Sequence, residues 1–329
     1  MRFAGFQGAI TDVPGVRIGH AQDTVAHTGV TVALFEFGAM GAGMLFGSAA
    51  STRGFESLYP QGVPKLIHGV CFAGGSSFGL AATGGVQRYL RERQLGIRLD
   101  EITIPLVPTA ILFDLRIGQW DAYPSEDMAY RACENATTEV EEGNVGAGTG
   151  ALVGKLFREP SAMAGGVGTA SARLGDVVIG VLTIVNAFGD VRDPDTGLIL
   201  AGARRASDSL ELADSARAIR GGAVHVSSSQ NTTLSLVVTN AAFDPIECGM
   251  LARMASAGMA RTITPIFTNY DGDVIIVLSL GSERMDRLVA GQLAADVVEA
   301  SIVRGVLTAR PKAGHPCAAD LLAAGSNDA

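Results

Sequence analysis

Three apolar runs rich in β-branched residues constrain this chain more than any other feature. They are "DVVIGVLTIVNAFGDV" from Asp176, "TTLSLVVTNA" from Thr232 and "DVIIVLSLG" from Asp273. Each is bounded by turn residues, as buried strands are. The longest apolar stretch, Val177–Phe188, is too short to span a bilayer, so no membrane role is expected. Between and after these runs lie two helical stretches. "DPIECGMLARMASAGMARTI" is opened by Asp244-Pro245, and "RMDRLVAGQLAADVVEASIVRGVLTA" is a long amphipathic helix. Strands and helices mix without strict alternation, and no repeat of 20–50 residues is visible. That combination predicts an α+β layered sandwich, with sheets inside and helices outside.

The remaining segments fit the same scheme. Residues 10–45, with "ITDVPGVRIGH" and "TGVTVALFEF", read as short strands with turns. "GVCFAGGSSFGLAATGGVQRYLRERQLG" reads as strand, glycine turn and helix, with Ser76 or Ser77 as N-cap and Gly96 as the stop. "EITIPLVPTAILFDL" is a proline-interrupted strand region, and "NVGAGTGALVGK" is a second glycine turn. Residues 125–142 and 200–218 are predicted helical, and 219–231 a loop.

Composition excludes several functions. With 47% apolar and 18% charged residues, the 329-residue chain reads as a soluble globular protein, expected to be a single domain over 1–329. A net charge of −8 without a basic stripe argues against nucleic acid as a partner. Cys71, Cys133, Cys248 and Cys317 are far apart, as reduced structural thiols are. The opening "MRFAGFQGAITDVPG" has no apolar signal region, so a cytoplasmic location is expected. "GTGALVGKL" fails as a phosphate loop, with Thr149 in place of the first glycine and Leu156 in place of the magnesium-binding hydroxyl. "GGSSFG" lacks dinucleotide spacing, "NYDGDV" has Val274 where a calcium loop needs glycine, and the histidines have no ligand spacing. Neither a metal nor a cofactor is expected.

Asn231-Thr232 is the remaining chemical signal. Polar chain, "SSSQ", runs into two threonines at the mouth of an apolar strand. Threonine also starts strands well without any chemistry. If the bond before Thr232 breaks, however, the new α-amine lies beside the hydroxyl. With a pKa of roughly 7.7–8.0 it can serve as that hydroxyl's base at neutral pH. A loose stretch upstream lets the new end withdraw, and a strand downstream holds the nucleophile.

The chain resembles the DmpA-type β-aminopeptidases, a family that includes the nylon-oligomer endo-hydrolases. Eight motifs in order carry the likeness: "ITDVPGVRIGH", "GVTV", "AGGSSFGLAATGGVQRYL", "ILFDL", "NVGAGTGALVGK", "RLGDVVIGVLTIVNAFGD", "NTTLSLVVTNA" and "TNYDGDVIIVL". The resemblance implies an αββα sandwich related to that of the ornithine acetyltransferases. It implies self-cleavage between Asn231 and Thr232, leaving α as 1–231 and β as 232–329. Thr232 then matches the nucleophile and Asn186 an oxyanion-hole donor. Lys155 matches a lysine near the nucleophile, and Asp271 and Asp273 match side chains that orient it. Ser76 and Ser77 are expected to line the pocket. Phe113 stands where some active members carry tyrosine, which removes one hydroxyl from the substrate site. Glu134 is a candidate for a substrate amine. The implied activity is amide hydrolysis of short peptides, including β- or D-residue peptides, or of oligoamides, by a homo-oligomer of four subunits or more. Two rivals are an acyltransferase of the ornithine acetyltransferase type and a non-catalytic binding protein on the same fold. The flanking motifs favour hydrolysis, and the retained Thr232, Asn186 and "DGD" oppose the binding protein.

Overall fold

The computed structural model describes residues 6–60, 65–223 and 231–325. The main strands are β1 (Val16–Asp23), β2 (Thr28–Leu45), β3 (Ile67–Ala73), β4 (Thr109–Ile111), β5 (Val167–Leu174), β6 (Val177–Asn186), β7 (Thr232–Ala241) and β8 (Val274–Glu283). The main helices are α1 (Ala82–Glu92), α2 (Glu126–Glu134), α3 (Pro245–Thr262) and α4 (Arg287–Leu307).

The long strand β2 belongs to two sheets. Its first part pairs antiparallel with β1 and β3, as in Ala21↔Val30 and Val30↔Ala73. Its last part pairs antiparallel with β8, as in Ile276↔Gly43. A register shift between Leu34 and Ala39 separates the two parts. The strand order is β5-β6-β7-β8-β2-β3-β4, with β1 also on β2 and the short strand Thr52–Arg53 beyond β4. β7 runs parallel to β8, and β3 parallel to β4.

Side-chain alternation turns this ribbon into layers. Along β6, Val178, Leu182 and Ile184 join Phe35, Phe72, Leu234 and Ile276 in a core between the two sheets. The intervening Val177, Ile179, Val181 and Val185 pack with Leu251, Ala255, Met259, Val297 and Val298 of α3 and α4. On the other outer face, Val30, Val32 and Cys71 pack with Val86 and Leu90 of α1 and Ala129 and Ala132 of α2. The result is the expected αββα sandwich. Both faces of β6 are covered, which is why it carries apolar residues on both faces instead of alternating. α4 lies so close to β5 that a Cβ on Gly168 would stand 2.0 Å from the Ser301 carbonyl oxygen. Leu182 is buried in the middle layer. Leu182→Ala should cost ~2–5 kcal/mol of stability, read as a lower urea midpoint.

Local chemistry sets most element ends. Asp244 caps α3 through the Glu247 amide, and Glu247 returns the bond, with Pro245 in the first turn. Three expectations are corrected. The helix predicted over 125–142 ends at Glu134, because the chain then pairs with β1 at Ile18↔Thr137. The helix predicted over 200–218 is a short strand, Ile199–Ala201, an irregular loop and one short helix, Ser215–Arg220. There the buried Arg204 guanidinium binds the carbonyls of Ser207, Ser209 and Pro160, which replaces helical pairing. Neither Ser76 nor Ser77 caps α1. A 3₁₀ turn over Ser76–Ala81 comes first, entered through left-handed Gly75 (φ 80°). Of the loop predicted over 219–231, residues 224–230 lie outside the described residues. Among the described residues no helix is long and apolar enough to cross a membrane.

Candidate active site

Strand register assembles the site. β6 ends at Asn186 and β7 begins at Thr232, and these two residues are paired. Both share the parity of Ile184 and Leu234, so both face the layer between the sheets. Just before β7, Asn231 bridges in parallel to Asp271, which brings Asp271 and Asp273 to the same end of the sheet. Thr232, Asn186, Lys155, Asp271 and Asp273 are each no more than 2% exposed.

The Thr232 hydroxyl donates to the carbonyl oxygen of Asn231 at 2.5 Å. That oxygen also accepts the Gly272 amide at 2.7 Å. The Asp273 carboxylate accepts the Thr233 amide at 2.6 Å and the Phe267 amide at 3.2 Å. Asp271 accepts the Thr268 hydroxyl at 2.5 Å and the Phe188 amide at 3.2 Å. Each acid therefore braces main chain next to the Asn231-Thr232 bond or the end of β6.

Asn186 is held in one orientation. Its Oδ1 accepts Lys155 Nζ at 2.7 Å and the Leu152 amide at 3.0 Å. Lys155 Nζ also donates to the Asn186 main-chain oxygen at 2.9 Å. With Oδ1 doubly occupied, Nδ2 is turned toward the Phe113 carbonyl at 3.4 Å. The second glycine turn makes this possible. Left-handed Gly154 (φ 72°) reverses the chain so that the Lys155 amide meets the Phe188 carbonyl at 2.9 Å.

Burial governs the charges. It pushes Lys155 down to about 7, opposed by the fields of Asp271, Glu159, Asp114 and Asp273. It raises the Asp271 carboxyl above the ordinary range, opposed chiefly by the bonds from Thr268 and Phe188. Asp273 is raised well above that range by burial and by Asp271 beside it. For Lys155 the folded value lies below the free value of 10.5, so between about pH 7 and 10.5 the unfolded chain binds the extra proton. This group's contribution to stability should therefore increase as pH rises across that window. Urea midpoints at pH 7 and pH 9 should differ less in Lys155→Met than in the parent.

A narrow cavity, with room for about one water, opens beside Asn186. Phe113, Asp114, Arg116, Ile117, Leu152, Lys155, Glu159 and Asn186 line it. Phe113 contributes its ring, with the Arg116 guanidinium 5.7 Å from the ring centre. Arg116 pairs with Glu159 at 3.2 Å across the cavity. Ser76 and Ser77 lie in the 3₁₀ turn before α1 and do not line it. Glu134 is exposed at the end of α2 and also lies off the cavity. Sequence reasoning missed Asp114, Arg116 and Glu159. Asp114 sits inside the quoted "ILFDL" and could have been found there, whereas Glu159 in "FREPS" carries no motif. Among the described residues, no group of three His, Cys, Asp or Glu is placed to hold a metal ion.

The profile of peptidase family S58 matches residues 8–317. The chain belongs to peptidase family S58. An uncharacterized aminopeptidase of Mycobacterium tuberculosis is 38% identical, over 95% of this chain and 97% of that protein. A 6-aminohexanoate-oligomer endohydrolase of Kocuria sp. is 31% identical, over 85% of this chain and 77% of its own length. In structure, this S58 peptidase matches a Burkholderia sp. β-aminopeptidase with a TM-score of 0.70 at 22% identity, over 97% and 94% of the two chains. It matches an L-aminopeptidase D-Ala-esterase/amidase from Ochrobactrum anthropi, described as a variant of the Ntn hydrolase fold, with a TM-score of 0.70 at 21% identity over 92% and 86%. The S58 peptidase has this fold and is an amide-bond hydrolase.

Proposed function

We propose that the S58 chain is the precursor of an N-terminal-threonine hydrolase that cuts itself between Asn231 and Thr232. The observation that carries this is the Thr232 hydroxyl, 2.5 Å from the carbonyl oxygen of the bond to be broken, an oxygen that the Gly272 amide also holds. Thr232 Oγ1 attacks the Asn231 carbonyl carbon, and the Gly272 N–H supports the oxyanion. The C–N bond breaks, and the hydroxyl proton ends on the departing nitrogen, giving an ester and a free α-amine. Water hydrolyses the ester, which leaves the Asn231 carboxylate on 1–231 and restores the Thr232 hydroxyl on 232–329.

The freed amine then takes the proton of Thr232 Oγ1 as a substrate amide is attacked. Asn186 Nδ2 stabilises the new oxyanion, the amine leaves with the proton, and water releases the acyl group. Asp271 and Asp273 hold the main chain around the nucleophile, and Lys155 fixes Asn186. The substrate is a short peptide or an oligoamide. This follows the relatives named for aminopeptidase and 6-aminohexanoate-oligomer activity. Glu159, mostly buried and paired with Arg116, adds a carboxylate to the cavity lining. We also expect a cytoplasmic homo-oligomer. Four buried free thiols fit a reducing compartment, and exposed Phe37, Met40 and Leu66 around one surface hollow fit a subunit contact.

Intact-mass analysis of the purified protein tests the reading. Two fragments divided at 231/232 support it, and a single intact chain that hydrolyses amides sinks it. Turnover of an aminoacyl anilide beside its N-acetylated form then separates exo- from endo-cleavage.

A further inference from the structure

The glycine turn that holds Asn186 is itself anchored by a residue near the other end of the chain. Lys312 is buried, and its Nζ donates to the carbonyls of Gly148, Thr149 and Gly165, each at 3.0 Å. Three acceptors match the three N–H donors of an ammonium. Burial pushes Lys312 down to about 7, opposed by the Asp114 carboxylate and reinforced by the field of Lys155. Asp114 in turn binds the Thr28 hydroxyl at 2.8 Å and the Gly75 amide at 2.7 Å. A buried ammonium is costly to keep, so its geometry asks for a purpose.

The anchored carbonyls lie on both sides of the turn. Gly148 and Thr149 lead into it, and Gly165 returns from it with its amide on the Ala151 carbonyl at 2.9 Å. Between these points the chain delivers the Leu152 amide and Lys155 Nζ to Asn186 Oδ1. There is little slack. A Cβ on Gly150 would stand 2.2 Å from the His27 carbonyl oxygen, and one on Gly154 would stand 2.0 Å from the Ala203 nitrogen.

We propose that Lys312 is a positioning residue for amide hydrolysis: by clamping the Gly148 and Thr149 carbonyls to that of Gly165 it sets Leu152 and Lys155 on Asn186 and so aims Asn186 Nδ2 at the oxyanion. This rests on the reading of Asn186 as the oxyanion donor. Lys312 itself does not line the cavity.

The test is a double-mutant cycle of Lys312→Met with Asn186→Ala, with amide hydrogen exchange of the 146–156 segment as a second readout. Lys312→Met should lower kcat about 10- to 100-fold with KM nearly unchanged. Exchange at Leu152 should quicken. In the Asn186→Ala background, Lys312→Met should cost nothing further, because the group it positions is gone. Losses that add, or an unchanged kcat, would overturn the proposal. If Lys312→Met does not fold, Lys312→Arg enters the same cycle. A kcat loss that vanishes in the Asn186→Ala background supports the clamp, and an additive loss or none overturns it. Failure of the Asn186 reading itself shows separately, as a normal kcat in Asn186→Ala alone.

Discussion

Thr232→Ala should give one uncut chain with no amide hydrolysis. The substitution removes the only group that the proposal places on the Asn231 carbonyl as a nucleophile, so the precursor bond stays closed. It also removes the hydroxyl on which the acyl group would form, so activity is lost even if the chain is cut by other means. Loss of a nucleophile that acts as a unit with its base lowers kcat on the order of 10⁶-fold. The fold should survive. The hydroxyl's bond is to its own neighbour's carbonyl, and replacing threonine at a strand start costs at most about 1 kcal/mol. Thr232→Ser keeps an Oγ and should still be cut and retain activity. Cleavage at 231/232 in Thr232→Ala, seen by intact mass, would remove Thr232 from the self-processing step.

Asn186→Ala is the second large effect. Removing a single preorganised oxyanion donor costs about 10²- to 10³-fold in kcat, because the donor meets charge that exists only in the transition state. KM should change little. The variant also leaves the Leu152 amide without its acceptor and leaves Lys155 Nζ with the main-chain oxygen of residue 186 but not Oδ1, so stability should drop by about 1–3 kcal/mol. Asn186→Asp separates the two effects. It keeps an oxygen for Lys155 and Leu152 but has no N–H to donate. A stable Asn186→Asp with kcat as low as Asn186→Ala supports the donor role. A stable Asn186→Asp with parental kcat would show that the amide serves only to hold the turn.

Much of the fold was legible from local pattern. β6, β7, β8, α3 and α4 fell where their apolar runs and caps placed them, since each is decided by neighbours a few residues away. The segment 200–218 was misread because its conformation depends on Arg204 meeting the carbonyl of distant Pro160. In the site, Thr232 stood out through its junction of polar chain and strand. Glu159 and Lys312 did not, because a buried charge looks like any surface charge until its surroundings are known.

The sequence by itself determined a layered α+β sandwich with sheets inside and helices outside, the strand that begins at Thr232 and the placing of an asparagine at the end of another strand. These follow from periodicity, turn residues and hydroxyl chemistry, which act along the chain. Only the tertiary structure decided that Asn186 sits opposite Thr232, that Lys155 and Leu152 fix its amide, and that Lys312 anchors the turn behind them. Those facts depend on sheet register and on which distant side chains share a buried space, and register is set by the packing of the whole core.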